Sequence, residues 1–143
     1  MENDPFDLER FVRAQAGDYP EALSEIRAGR KTSHWMWYIF PQFKGLGHSS
    51  MAVRYSIKSP EEARAYLDHP VLGRRLAECA EAVLAVEGRT ASEIFGFPDD
   101  MKLKSSMTLF ERAAGEEDSL FAHVLDRYFQ GERDRRTLDL IGK

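Results

Sequence analysis

The residues of this chain best suited to chemistry lie in one segment, residues 33–50. Five aromatic residues fall within nine positions there, and a loop rich in glycine and serine follows them. Large apolar rings beside a few polar groups are typical of a ligand pocket, although a hydrophobic core uses the same rings. His34 and His48 flank the aromatic residues. Because histidine titrates near neutral pH, either one is a candidate acid or base for a hydrolysis.

The loop after the aromatic residues has the composition of an anion site. Gly45 and Gly47 let the backbone turn its N–H groups inward, and Ser49 or Ser50 can begin a helix whose free N–H groups attract an anion. The alternative is an ordinary turn with a serine cap. The loop matches neither of the named phosphate-binding motifs, and we predict no cofactor.

A second polar cluster lies on the helix predicted to contain residues 102–108. Lys102, Ser105 and Ser106 fall mostly on one side of it, and two hydroxyls and a cation on one face can contact phosphate. The alternative is a solvated helical face. We predict a pocket formed by residues 33–50 and 102–108, with a phosphorylated or nucleotide-like small molecule as its ligand. The predicted ligand-binding residues are Lys31, Trp35, Trp37, Tyr38, Gln42, Lys44, Gly45, Gly47, Ser49, Ser50, Lys102, Ser105 and Ser106.

The aromatic residues also support a second hypothesis. If several rings are exposed, they form a patch for a partner helix or a second copy of the chain, and the protein is an interaction module without catalysis. The two hypotheses differ in shape. A pocket holds polar groups at its floor, whereas an interface presents a flatter apolar surface with a polar rim. The sequence does not decide the oligomeric state.

Composition and charge restrict the partners. The chain has 143 residues, of which 43% are hydrophobic and 31% charged, as in one ordinary globular domain. The net charge of -4 argues against nucleic-acid binding. The sequence contains neither a membrane-spanning apolar run nor a signal-peptide pattern, so we expect a cytoplasmic protein with no membrane association. The four histidines show no metal spacing, and we predict no metal site.

Proline, glycine and capping residues divide the chain into short helices. We predict an all-α fold of about seven to eight helices, an irregular orthogonal array rather than a four-helix bundle, forming a single domain over residues 1–143. Asp4 and Asp99 are predicted N-caps. Residues 51–58 alternate apolar with small or polar side chains, as a strand does, but a helix is favoured because one strand has no partner.

Three sequence blocks carry a family resemblance. They are residues 33–47, 69–76 and 102–110. In this order they resemble an uncharacterised bacterial family of small all-helical proteins, a domain of unknown function that is sometimes labelled calpastatin-like. The resemblance covers nearly the whole chain. It implies a single all-α domain and no established activity.

A looser resemblance is to small proteins that hydrolyse N-glycosidic bonds in ADP-ribose-related metabolites. It consists of a histidine followed by aromatic residues, then Gln42 and Lys44. Those proteins place a glutamate just before the histidine, where this chain has Ser33. The resemblance implies hydrolysis of such a bond as a third possible function.

Overall fold

The computed structural model describes residues 3–142, which form ten α-helices, and this confirms the predicted all-α class. The helices are α1 (Glu9–Ala16), α2 (Tyr19–Arg27), α3 (Met36–Ile39), α4 (Ser50–Arg54), α5 (Pro60–Asp68), α6 (Leu72–Ala85), α7 (Ala91–Phe95), α8 (Asp99–Ala114), α9 (Leu120–Phe129) and α10 (Arg135–Ile141). The number exceeds the expected seven to eight because α3, α4 and α7 are separate helices of only four or five residues. No helix in this part of the chain is long and apolar enough to cross a membrane.

Helix α8 lies at the centre of the fold and contacts α5, α7, α9 and α10. Its predicted apolar stripe, which includes Leu103, Met107 and Phe110, is fully buried. The hydroxyl residues Ser105, Ser106 and Thr108 are buried as well, because neighbouring helices surround α8. These hydroxyls are therefore enclosed, and the alternative of a solvated helical face does not hold for them.

The first helix begins later than the capping pattern predicts. The Asp4 carboxylate accepts the N–H groups of Leu8 at 2.8 Å and of Glu9 at 3.0 Å, so Asp4 does act as a cap. The helix it caps starts at Glu9 and not at Pro5, because Asp7 adopts a φ of 53° in the intervening turn. The bond from Leu8 above all lowers the pKa of Asp4, since it stabilises the charged carboxylate.

Residues 51–58 contain both a helix end and an extended piece. The predicted helix forms but stops at Arg54. Ile57 then makes an isolated parallel bridge with Phe43, in which its N–H donates to the Gln42 carbonyl at 2.9 Å and its carbonyl accepts the Lys44 N–H at 2.8 Å. The extended residue Ile57 thus pairs with Phe43, at the start of the glycine-rich loop (residues 43–50), and the sequence did not reveal this partner. The bridge fixes the backbone on both sides of Phe43.

Candidate functional site

A concave pocket of about 440 Å³ lies between the glycine-rich loop, the first half of α8 and the start of α10. This volume is in the range of small-molecule sites. The two segments predicted to form a pocket meet here, and Asp134 and Arg136 add a third side that the sequence did not indicate. The lining residues are Gln42, Leu46, Gly47, His48, Ser49, Ala52, Pro98, Met101, Lys102, Ser105, Asp134 and Arg136.

A hydrogen bond joins the two predicted segments inside this pocket. Gln42 Nε2 donates to Ser105 Oγ at 2.5 Å, and Ser105 Oγ donates to the Lys102 carbonyl at 3.1 Å. The Ser105 proton is therefore committed to the helix, and its oxygen acts as the acceptor for the amide. This chain of bonds orients the Gln42 side chain, so the pocket contains polar groups in fixed positions.

Positive charge dominates the lining. Lys102 Nζ lies 5.8 Å from the centroid of the half-buried Trp37 ring. Arg136 Nη2 donates to the Gly45 carbonyl at 3.3 Å, which places the guanidinium beside the loop. The sequence offered no reason to separate Arg136 from the other arginines near the chain end, because only the docking of α10 brings it to the loop.

Asp134 is the one carboxylate among the residues within 3–142 that line the pocket. Its Oδ2 accepts the N–H of Thr137 at 3.0 Å and the hydroxyl of Thr137 at 2.6 Å, and this caps α10. The backbone N–H of Asp134 donates to Thr108 Oγ1 at 2.9 Å, so α8 positions the cap. This one carboxylate offsets only part of the positive charge, because the lining contains two cations, Lys102 and Arg136.

Asp99 does not cap α8, which corrects the prediction. It is the first residue of the helix and its side chain makes no capping bond. Its carboxylate instead lies 2.8 Å from Lys31 Nζ and 3.4 Å from Lys102 Nζ. Lys31 is almost buried and also donates to the Ser33 carbonyl at 2.6 Å. Lys31 is therefore held by Asp99 and the Ser33 carbonyl and does not line the pocket.

Trp35 and Tyr38, both predicted ligand-binding residues, lie in the core instead. Trp35 is 1% exposed, and its Nε1 donates to Glu25 Oε1 at 2.9 Å. Tyr38 is buried, and its hydroxyl donates to Asp18. Aromatic composition alone did not separate core rings from pocket rings, because burial depends on which helices pack over them. Trp37, the third predicted ring, is the one beside Lys102.

Glu25, which sequence reasoning missed, holds the start of the aromatic segment. Its carboxylate accepts the Ser33 hydroxyl at 2.6 Å and the N–H groups of Thr32 and Ser33 at 2.9 and 3.0 Å, besides the Trp35 indole. Burial raises the pKa of Glu25, but these hydrogen bonds outweigh burial and lower the pKa to about 2. Nothing in the sequence around Glu25 singles it out, since its partners follow in another segment.

Six further predicted residues are not among those that line the pocket, namely His34, Trp37, Lys44, Gly45, Ser50 and Ser106. His34 is exposed elsewhere, and its carbonyl accepts the Tyr38 hydroxyl at 3.3 Å. Lys44 and Ser50 are exposed and do not line the pocket. Ser106 is fully buried, and its hydroxyl has no hydrogen-bond partner within residues 3–142. A helical serine commonly bonds the carbonyl four positions earlier, but here the neighbouring Ser105 uses that carbonyl.

The predicted anion site at the start of α4 is an ordinary cap. Ser49 Oγ accepts the Ala52 N–H at 3.1 Å, and α4 has five residues, too few for a strong helix dipole. Gly47 is required for another reason, because a Cβ there would lie 2.6 Å from the Ala52 Cβ. Gly45 adopts a φ of +104°, which favours glycine. The two glycines therefore shape the loop.

Within residues 3–142, no group of three or more His, Cys, Asp or Glu side chains is arranged to hold a metal ion. Cys79, the single cysteine, is buried, and burial raises the pKa of its thiol to about 12. The thiol is therefore protonated at neutral pH and is not a nucleophile. The chemistry available at the pocket is that of cations, an imidazole, an amide and hydroxyls.

Comparison with known proteins places the chain in a family. Residues 5–141 match the family model described as "Protein of unknown function (DUF1810)". No curated protein matches the chain. The fold is similar to the crystal structure of the conserved hypothetical protein Rv1873 from Mycobacterium tuberculosis, with 56% sequence identity, a TM-score of 0.95, and coverage of 98% of this chain and 99% of that one. The chain thus belongs to the DUF1810 family of proteins of unknown function, as the three sequence blocks predicted.

Proposed function

We propose that this protein binds a small phosphorylated molecule in the pocket between the glycine-rich loop, α8 and α10. The observation that carries the proposal is the convergence of Lys102 and Arg136 on one concavity whose single described carboxylate is occupied as a cap. Charge-assisted bonds from such side chains are the strong contacts that phosphate forms with proteins. Gln42 and Ser105 add oriented polar groups for the rest of the ligand.

His48 is the candidate for contact with a reacting group. It is exposed and lines the pocket, whereas His34 lies elsewhere. We do not extend the proposal to hydrolysis of an N-glycosidic bond, because such hydrolysis usually needs two carboxylates flanking the bond. Asp134, the carboxylate at this pocket, already accepts two hydrogen bonds from Thr137. The proposed role of His48 is to contribute a ring nitrogen to the binding of the phosphate.

An interaction module is the second candidate function, and exposed apolar side chains favour it. Phe97, in the connection between α7 and α8, is 80% exposed, and Met101, in the first turn of α8, is 44% exposed. These are not the rings that suggested the hypothesis, which are mostly buried. A partner or second copy would cover Phe97 in this case. Loss of self-association or partner binding in Phe97→Ser, with phosphate compounds having no effect, would favour this second function.

Substitution of Arg136 provides the sharpest test of phosphate binding, because the neighbouring Arg135 is a matched control. We expect Arg136→Ala to weaken the binding of a phosphate monoester about tenfold or more, since it removes a charge-assisted contact. Arg135→Ala makes the same charge change one position earlier, on a side chain that is 85% exposed and pairs with Asp139. Calorimetric titration of both variants and of the parent with phosphate esters measures the difference. Equal affinities in the two variants would overturn the proposal.

The Asp99 carboxylate competes with any anion for Lys102, so its removal should strengthen binding. We expect Asp99→Asn to raise the affinity for a phosphate monoester about two- to fivefold, the value of a partly exposed ion pair. The same substitution leaves Lys31 without its partner and should lower the melting temperature of the free protein. Calorimetric titration measures the change in phosphate affinity, and thermal melting measures the change in stability separately. A variant that is less stable and also binds phosphate more weakly would show that Lys102 does not contact the ligand.

A further inference from the structure

The pocket has an apolar side that phosphate alone does not explain. Pro98 and Met101 line it from the beginning of α8, and Leu46 lines it from the loop. Met101 is 44% exposed, so an apolar side chain faces solvent beside two cations. A single exposed apolar residue needs no explanation, but three that line one concavity form a contact surface for an apolar group.

The apolar and polar residues follow one another along α8. The Met101 N–H donates to the Pro98 carbonyl at 3.0 Å, and Ser105 follows four positions after Met101. Residues three and four apart share one face of a helix. Because a helix rises 1.5 Å per residue, Met101 and Ser105 are about 6 Å apart along the axis. The pocket thus changes from apolar to polar over about the length of one ring.

We infer that the ligand is a phosphate ester of an aromatic or heteroaromatic group, with the ring on Met101, Pro98 and Leu46 and the phosphate between Lys102 and Arg136. The inference rests on the proposed function and adds the chemistry of the rest of the ligand. Methionine suits this role because its flexible, polarisable thioether packs favourably against aromatic rings. Trp35 and Tyr38 cannot contact the ring of the ligand, since both are buried in the core away from the pocket.

The test compares phosphates that differ in the group they carry. Phenyl phosphate, ribose 5-phosphate and inorganic phosphate are titrated into the parent protein, Met101→Ala and Val53→Ala. Val53 is the control because it is another exposed apolar residue and lies outside the pocket lining. We expect phenyl phosphate to bind about three- to tenfold more tightly than the other two, the value of a sulfur–aromatic contact. Met101→Ala should remove that advantage and leave inorganic phosphate affinity unchanged, and Val53→Ala should change neither.

Each outcome bears on one of the two proposals. Equal affinity for all three phosphates, or an advantage for phenyl phosphate that survives in Met101→Ala, would overturn the aromatic ligand but leave phosphate binding in place. If none of the three binds and Arg136→Ala behaves like Arg135→Ala, the proposed function itself fails. Circular dichroism and melting of each variant confirm that it is folded, so a loss of binding is not a loss of structure.

Discussion

Replacing Arg10 with methionine lowers the free energy of unfolding by about 3–5 kcal/mol, the expected cost of breaking a buried ion pair by removing one partner. Arg10 Nη2 lies 2.9 Å from Glu62 Oε2, and the two side chains are 8% and 2% exposed. The methionine leaves the Glu62 charge buried without its cation. It also removes the guanidinium donor from four backbone carbonyls, those of Phe6, Asp7, Arg54 and Ser56.

Arg13 supplies the control, because it lies on the same helix and is 78% exposed. Arg13→Met should change the free energy of unfolding by less than about 0.5 kcal/mol. Urea denaturation of both variants measures the difference. Losses of similar size would mean that Arg10 is solvated and that the N-terminal turn is not tied to α5. Glu62→Gln, which keeps the shape of the pair without the charge, should lie between the two.

Replacing Trp35 with alanine should lower the free energy of unfolding by about 3–5 kcal/mol, as for other large core rings. Trp35 is 1% exposed, packs edge-on against Phe95 with centroids 6.4 Å apart, and donates its indole N–H to Glu25. The alanine leaves a cavity and removes a donor from the half-buried Glu25 carboxylate. Denaturant titration gives the loss of stability directly.

Two comparisons decide whether Trp35 is purely structural. Trp37→Ala should cost less stability, because that ring is only half-buried, yet it should alter phosphate binding by removing the neighbour of Lys102. Trp35→Phe should lower stability and leave phosphate affinity unchanged at temperatures where the protein is folded. If phosphate affinity falls in Trp35→Phe but not in Trp37→Ala, then Trp35 and not Trp37 contributes to phosphate binding, contrary to this prediction.

Local signals predicted most of the helices. The pattern of Ser59 followed by proline and glutamates predicts the start of α5, and the Ser59 hydroxyl accepts the Glu62 N–H at 3.0 Å. Thr90 and Glu93 form a complete capping box at α7. These starts are predictable because a cap binds N–H groups two or three residues away. Asp99 fails as a predicted cap because its carboxylate pairs with Lys31 from a distant segment at 2.8 Å and with Lys102, one turn further along α8, at 3.4 Å.

The sequence by itself determined that the chain is helical, that it belongs to a family recognisable from three blocks, and that most of its candidate ligand-binding residues lie in residues 33–50 and 102–108. Only the tertiary structure decided which of those residues reach a common surface. It brings Gln42 to Ser105, adds Arg136 from α10, and buries Trp35, Lys31 and Ser106. The physical reason is that caps and helical periods act over a few residues, whereas burial and charge partners depend on segments far apart in the chain.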